Sequence, residues 1–133
     1  MSTSLEDVRI LQTAESIVDS IWAPVAQWDE FAKDTVGTQL IRAADSIGAN
    51  IAESFGRFHY GQKIEFLYYA RGSLFESKYW HNRVLQRQLM PKDLVEIHIK
   101  SLAGLAIGLN LFQKINLLVF ESLNLYFPIR RTS

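Results

Sequence analysis

The amino-acid sequence predicts an all-α protein, and within that class an antiparallel up-down-up-down four-helix bundle. Apolar residues recur at three- and four-residue steps in four segments, which is the spacing of one helix face. The three prolines, at positions 24, 91 and 128, lie where these segments end. No segment alternates with period two for long enough to indicate a strand. Residues 1–133 are therefore expected to form one domain, in which neighbouring helices cover each other's apolar stripes.

The first helix is predicted over residues 4–21. Ser4 is a residue type that caps helix N-termini, and the two acidic residues that follow it suit the first turn. Around Pro24 the helical pattern is lost, so residues 22–37 are expected to form a loop or short helical turns. The aromatic residues of this segment are expected to cover one end of the core; they are Trp22, Trp28 and Phe31.

The second and third helices are predicted over residues 38–57 and 62–89. The apolar stripe of the second helix follows steps of 4, 3, 4, 4 and 3, and glycines lie after it. The third helix ends before Pro91. The second stripe consists of Leu40, Ala44, Ile47, Ile51, Phe55 and Phe58, and the third of Ile64, Leu67, Ala70, Leu74, Ser77 or Tyr79, and Val84.

The fourth helix, predicted over residues 92–125, carries more apolar residues than one core stripe requires. Its stripe toward the core is predicted to be Leu94, Ile97, Leu102, Leu105, Leu109 and Phe112. A helix that is apolar on most sides is buried on a second side, which favours self-association. Gly104 and Gly108 would allow close helix approach. An alternative is that the aromatic segment before Gly37 covers this surface. The predicted subunit interface contains Ala103, Ile107, Leu111, Leu118 and Val119.

Composition excludes several classes of protein. The chain has no cysteine, which excludes disulfides and thiolate chemistry and is compatible with a reducing cytoplasm. The acidic N-terminal residues differ from a signal peptide, and the longest uncharged stretch, 101–113, is shorter than a membrane-spanning helix. We therefore expect a soluble cytoplasmic protein without a membrane partner.

Charge is unevenly distributed although 14 basic residues balance 14 acidic ones. Residues 1–38 carry seven acids against two bases, whereas residues 39–92 carry eight bases against four acids, with aromatic residues between them. Bases and aromatic rings in alternation are typical of nucleic-acid binding, through phosphate neutralisation and base stacking. The candidate nucleic-acid-binding residues are Arg42, Arg57, Lys63, Arg71, Arg83 and Arg87.

A polar seam, defined here as Gln39, Arg42, Ser46, Asn50, Glu53 and Arg57, follows one edge of the second helix at helical spacing. It is expected either to be solvated or to lie at a subunit boundary, and its charges could reach Glu65, Arg71 or Glu76 on the third helix. A role in binding a ligand or nucleic acid is the alternative.

Motifs for catalysis are absent from the sequence. It contains no glycine-rich phosphate loop, no serine nucleophile motif and no Glu-x-x-His pair, and its histidines lie 22 and 17 residues apart. We therefore predict no catalytic residue, metal or cofactor, and a protein that is not an enzyme.

Two runs of sequence resemble a known family. The segment from Gln39 to Arg57, with the pattern RA-x-x-SI-x-x-NIAE, and the segment from Glu65 to Glu76, with ARGSL-x-E, are similar to bacterial 23S rRNA intervening-sequence proteins. The chain departs from the family at Ser54, where glycine is usual. Residues that match the family pattern are Arg42, Ser46, Asn50, Glu53, Arg57, Arg71, Gly72, Ser73 and Glu76.

The resemblance implies an antiparallel four-helix bundle that forms a homopentamer and contacts RNA or DNA. A similar expectation comes from the related accessory variability determinants of diversity-generating retroelements, which are more basic than this chain. The leading hypothesis is a non-enzymatic homo-oligomeric bundle, a scaffold or interaction protein whose main partner is itself. The alternative is an accessory protein that binds RNA or single-stranded DNA through its second and third helices.

Overall fold

A computed structural model describes residues 5–126, and all the regular structure in that range is helical. Four long helices account for most of it, and a short helix with a π-helical turn precedes the second of them. The elements in order are α1 (Leu5–Ala26), α2 (Glu30–Ala32), the π-helical turn (Lys33–Gly37), α3 (Thr38–Phe55), α4 (Tyr60–Gln86) and α5 (Lys92–Tyr126). The predicted all-α four-helix fold is confirmed.

The four long helices pack as an antiparallel bundle with a square cross-section. Within residues 5–126, α1 packs against α3 and α5, and α4 packs against the same two helices. Short connections reverse the chain direction between successive helices, as in an up-down-up-down bundle. The core lies between the four helices, and its largest fully buried apolar side chains are Ile21, Leu40, Ile47, Ile51, Leu67, Leu74, Leu102 and Leu109.

The first helix extends further than predicted. Helix α1 continues past Pro24 to Ala26, where a loop or short helical turns were expected from residue 22. Proline removes its own N–H donor and crowds the carbonyl four residues earlier, and so close to the C-terminal end of α1 both effects fall on its last turns. The expected Ser4 cap lies outside the described residues.

The segment before α3 is helical as well. The Asp29 carboxylate accepts a hydrogen bond from the Ala32 N–H at 2.9 Å and caps α2. The chain then passes through the π-helical turn directly into α3, without an intervening loop. Of the two alternatives for residues 22–37, the helical one is correct.

Helix α4 ends earlier than the predicted residue 89. Gln88 adopts a left-handed conformation with φ of 55°, and the Leu89 N–H donates back to the Val84 carbonyl at 3.0 Å. This closing pattern resembles a Schellman cap, which stops a helix independently of the proline that follows. The Pro91 carbonyl then accepts from the N–H groups of Leu94 and Val95 at the start of α5.

Two predicted core residues are exposed. Phe58 lies after the end of α3, in the connection to α4, and 80% of its surface is accessible. Ile97 lies on the outer side of α5, because Val95 and His98 take the inward positions in that turn. Of the two alternatives on α4, Ser77 is buried and Tyr79 is exposed. Leu5 and Val8, two apolar residues of the first turn of α1, are also exposed.

Candidate functional site

The most extensive exposed apolar surface belongs to α5. We call Ile107, Leu111, Ile115 and Leu118 the α5 outer face; they follow steps of 4, 4 and 3, and each is at least half exposed. The opposite side of the same helix buries Leu102, Leu105 and Leu109 in the core. Of the predicted interface residues, Ile107, Leu111, Leu118 and Val119 are exposed and Ala103 is half-buried.

A groove runs beside the α5 outer face, between α5 and α1. Its cavity of about 260 Å³ is lined by Gly104 and Gly108 together with Leu111, Ile115 and residues of the first half of α1. A Cβ atom built on either glycine would meet no heavy atom within 4 Å, so the backbone of α5 is open to close approach here. Glu6 and Arg9 pair at 3.3 Å on its far rim.

The aromatic segment does not cover this surface, which removes the alternative considered from the sequence. Trp22 and Phe31 lie at the other end of the bundle and are themselves exposed, Phe31 to 80%. Helix α5 from Lys92 to Leu125 is also long and apolar enough to cross a bilayer, although the core helix of a soluble bundle has the same properties. The uncharged stretch 101–113 is only part of this helix, which continues with apolar residues beyond Lys114.

Lys63 is not part of an accessible basic surface. Its side chain is buried, with the ammonium 3.7 Å from the Asp7 carboxylate and 5.4 Å from the centroid of the Phe112 ring. This contact links α4 to α1 across the bundle. The prediction that Lys63 meets nucleic acid is corrected accordingly, since burying a charge requires such an internal partner.

The other predicted basic residues do not form one continuous patch. Arg42 lies near the start of α3, whereas Arg57 follows its end, where it pairs with Glu53 and stacks over the Phe66 ring at 4.3 Å. Arg71 and Arg87 are 16 residues apart on α4 and its cap, which turns them about 160° away from each other. Arg83 shares the side of Arg87 and is half-buried.

A narrower surface on α4 combines bases with rings. We call Tyr68, Arg71, Phe75, Lys78 and Tyr79 the α4 aromatic–basic face. The Arg71 guanidinium and the Lys78 ammonium lie 5.6 and 5.7 Å from the centroid of the Phe75 ring, and all three aromatic side chains are about half exposed. Lys114 of α5 adjoins this surface across a shallow cavity with Tyr68 and Arg71.

The polar seam lies along the α3 edge, and its hydrogen bonds and ion pairs are local, whereas Arg57 also stacks over the Phe66 ring of α4. The Asn50 amide donates to the Ser46 carbonyl at 2.8 Å, and Glu53 pairs with Arg57. On α4, Ser73 is half-buried and the exposed Glu76 accepts from the Trp80 indole N–H at 3.5 Å. Among the described residues, no salt bridge joins the seam to α4. Gln39 and Arg42 are exposed at its start.

Sequence reasoning missed a buried histidine pair. His81 of α4 and His98 of α5 pack edge to face with their ring centroids 5.3 Å apart. The His81 Nδ1–H donates to the Ser77 carbonyl at 2.7 Å, and burial lowers the pKa of His81 to about 4. Burial also lowers the pKa of His98, which faces the Ser20 backbone. No periodic pattern marks two histidines on separate helices, so the sequence offered no signal for the pair.

The described part of the chain contains no cluster of side chains suited to bind a metal ion. No group of three or more His, Cys, Asp or Glu side chains converges between residues 5 and 126. The two histidines alone would supply two ligands, short of the three or four that zinc takes in proteins.

Comparison with known proteins places the bundle in a family. The family model for the 23S rRNA-intervening sequence protein matches residues 6–110, which is most of the chain. The chain belongs to the 23S rRNA-intervening sequence protein family. The sequence resemblance to this family is thereby confirmed, and the family match ends within α5, before the residues Leu111, Ile115 and Leu118 of its outer face.

A solved structure has the same fold. It is the crystal structure of a protein with unknown function from the S23 ribosomal protein family of Bacteroides thetaiotaomicron VPI-5482. The TM-score is 0.74 at 18% sequence identity, and the match covers 83% of this chain and 99% of the other. At this identity the likeness shows the fold alone. The sequence matches no curated protein.

Proposed function

We propose that this member of the 23S rRNA-intervening sequence protein family is a non-enzymatic scaffold that assembles with copies of itself through the α5 outer face. The single observation that carries the proposal is the row of four exposed side chains Ile107, Leu111, Ile115 and Leu118. An apolar row of this length on a helix that is already buried on its other side is typical of a protein interface.

The free energy available from covering this row supports self-association. Full burial of one Leu or Ile side chain contributes about 1.5–3 kcal/mol. Because the four side chains are at least half exposed, covering each of them contributes about 1–2 kcal/mol to a contact. This sum has to exceed the cost of association, which depends on how well the two surfaces fit.

A pentamer is the form of the assembly that we propose. A closed ring needs two different, complementary surfaces on each subunit, unlike a two-fold dimer. The α5 outer face is a ridge, and the groove at Gly104 and Gly108 is a depression between this ridge and α1, with Leu111 and Ile115 on their shared border. The proposed contact inserts the ridge of one copy into the groove of the next.

Mass measurement tests the proposal. Sedimentation equilibrium at micromolar concentration is expected to return an oligomer, with a pentamer at about 77 kDa, five times the 15.3 kDa chain. Leu111→Asp should shift the mass toward the monomer, because it places a charge in the contact. Leu5→Asp is the control, since Leu5 is also exposed, 74% against 58% for Leu111, but lies on α1 outside the α5 outer face.

Two outcomes would contradict the proposal. One is a monomer near 15.3 kDa at micromolar concentration. The other is an oligomer whose mass is the same with and without Leu111→Asp, which would place the contact on a different surface. If the monomeric protein floats with lipid vesicles, the α5 outer face is a membrane surface instead.

A second candidate function, binding of RNA or single-stranded DNA, is favoured by the α4 aromatic–basic face. Its Arg71 and Lys78 lie close to Phe75, and neither has a carboxylate within 4 Å among the described residues. Exposed rings beside unpaired cations suit base stacking and phosphate contact. In a ring of five copies, avidity would strengthen a surface that binds weakly as a single copy.

Salt dependence tests the second candidate. Binding of a fluorescent single-stranded DNA or structured RNA should weaken steeply between about 50 and 200 mM salt. Arg71→Gln and Phe75→Leu should each reduce affinity several-fold, whereas Lys92→Gln, at an exposed lysine outside this face, should not. Absence of binding at low salt, or equal effects of Arg71→Gln and Lys92→Gln, would contradict it.

A further inference from the structure

An open cavity lies at the end of the bundle opposite the α5 C-terminus, where α1 ends and α3 begins. Its volume is about 470 Å³, which is within the range of small-molecule sites. It is separate from the α5 outer face and from the α4 aromatic–basic face. Its lining combines apolar and charged side chains, among them Trp22, Val25, Ile41, Lys33, Asp34 and Arg42.

The π-helical turn forms one wall of this cavity. The Thr38 N–H donates to the Lys33 carbonyl five residues earlier, and the Thr38 hydroxyl donates to the same carbonyl at 3.0 Å. The Thr35 hydroxyl donates to the Phe31 carbonyl at 2.6 Å. Wide turns of this kind are rare and occur frequently at functional sites. Here the turn carries Lys33 and Asp34 to the cavity.

Gly37 allows this wall to pack closely against α1. A Cβ atom at this position would lie 3.0 Å from Cγ1 of Val25 and 3.3 Å from the Ala32 carbonyl oxygen. A larger residue at this position would require Val25 or the turn to shift, and this shift would change the cavity wall that the turn forms. The shape of the cavity therefore depends on Gly37 and on the π-helical turn, which holds one more residue per hydrogen-bonded turn than an α-helix.

The charges of the cavity favour an anion. Lys33 and Arg42 both line it, and among residues 5–126 neither has a carboxylate within 4 Å. Asp34 supplies the opposing charge, so these three side chains carry a net charge of +1. Trp22 is 59% exposed, and its indole ring can stack against a flat ring.

We infer that this cavity binds a small amphipathic anion, an aromatic ring that carries a carboxylate or a phosphate. The ring packs against Trp22 and Ile41, the acidic group pairs with Lys33 and Arg42, and Asp34 accepts a hydrogen bond from a donor on the ligand. Binding requires no covalent step. The inference is independent of self-association, because no residue of the α5 outer face takes part.

Calorimetric titration with two anions tests the inference and distinguishes the two acidic groups. The probes are indole-3-acetate, a carboxylate, and adenosine 5′-monophosphate, a phosphate, each compared with its neutral counterpart, indole-3-acetamide or adenosine. At least one anion is expected to bind at least tenfold more tightly than its neutral counterpart. Its binding should also shift the Trp22 indole N–H resonance in an NMR spectrum.

Variants locate the site. Arg42→Gln and Lys33→Gln should each weaken binding of the anion about tenfold, and Trp22→Ala should abolish the stacking contribution. Arg87→Gln is the matched control, because Arg87 is an exposed arginine outside the cavity. Leu111→Asp should leave binding unchanged, which separates this site from the subunit contact. Failure of both anions to bind at millimolar concentration, or equal affinity in Arg42→Gln and wild type, would overturn the inference.

Discussion

The two sides of α5 differ in exposure, and the difference is the opposite of what the hydrophobicity of their residues alone would predict. The inner side buries polar residues, His98, Gln113 and Asn116, among its leucines. The outer side between residues 107 and 118 presents Ile107 and Leu111 with other apolar side chains and leaves them in contact with solvent. The more apolar side is thus the more exposed one.

This difference shows that a side chain of α5 is buried when another helix of the bundle packs against its side, whether it is polar or apolar. One of the inner polar groups has a local acceptor, since the Asn116 amide donates to the Phe112 carbonyl at 2.8 Å. The outer side has no neighbouring helix in the described part of the chain. A partner from another molecule, as proposed above, would account for the exposed apolar row on this side.

The largest expected effect is a difference in stability between two variants, each of which truncates one leucine on one side of α5. Leu109→Ala should lower the free energy of unfolding by about 3 kcal/mol, because Leu109 is fully buried and truncation leaves a cavity. Leu111→Ala, two residues away and more than half exposed, should cost the monomer less than about 1 kcal/mol. Urea denaturation measures both values.

Mass measurement on the same two variants completes this comparison. Leu111→Ala should reduce the oligomeric mass at low concentration, whereas Leu109→Ala should keep it under conditions where the protein remains folded. Equal losses of stability in the two variants, measured on monomeric protein, would mean that the outer side is covered within one chain.

The inner side should also give a dependence of stability on pH. The pKa of His81 is about 4 in the folded protein, against about 6.5 in an unfolded chain. Between these values the unfolded state binds a proton that the folded state does not, so stability falls as pH decreases from 6.5 to 4. The loss approaches about 3 kcal/mol at pH 4, and His98 contributes in the same direction.

Urea midpoints between pH 7 and pH 4.5 measure this dependence. His81→Gln should flatten the profile, and His59→Gln, which replaces an exposed histidine, is the matched control. The α5 outer face contains no titratable group, so Leu111→Ala, which adds none, should retain the wild-type slope. A wild-type midpoint that does not change over this range would show that both histidines are hydrated.

The sequence allowed much of the fold to be predicted because helical periodicity reports which side of a helix faces inward. Leu40, Ala44, Ile47 and Ile51 were placed correctly in this way. Periodicity does not report where a helix ends, so Phe58 was assigned to the core although it lies beyond α3. Pro24 ended the predicted first helix too early for a related reason.

The candidate sites were predictable to different degrees. The exposed Ile107 and Leu111 could be inferred because the helix has more apolar residues than one stripe needs. The Asp7–Lys63 contact and the His81–His98 pair could not, since each joins two helices and depends on their relative height in the bundle. The cavity beside Gly37 depends on a π-helical turn, for which the sequence has no recognised signal.

Replacing a polar residue on the inner side sharpens the comparison further. Asn116→Leu should raise the free energy of unfolding by about 1 kcal/mol, because the Phe112 carbonyl keeps its helical hydrogen bond when the amide is removed. The oligomeric mass should not change. A decrease in stability, or a mixture of masses, would indicate that Asn116 fixes which side of α5 faces the core.

The smallest expected effect comes from two glycine variants, which test whether the groove takes part in the α5 contact. Gly104→Ala and Gly72→Ala each add a methyl group where no heavy atom lies within 4 Å, inside a helix, so each should stabilise the monomer by about 0.5–1 kcal/mol. Gly72 lies on α4, away from the proposed contact. If the ridge of one copy enters the groove of the next, Gly104→Ala should weaken association several-fold while Gly72→Ala leaves it unchanged. Equal association constants in the two variants, measured by sedimentation equilibrium, would mean that the ridges meet each other and that the groove stays open.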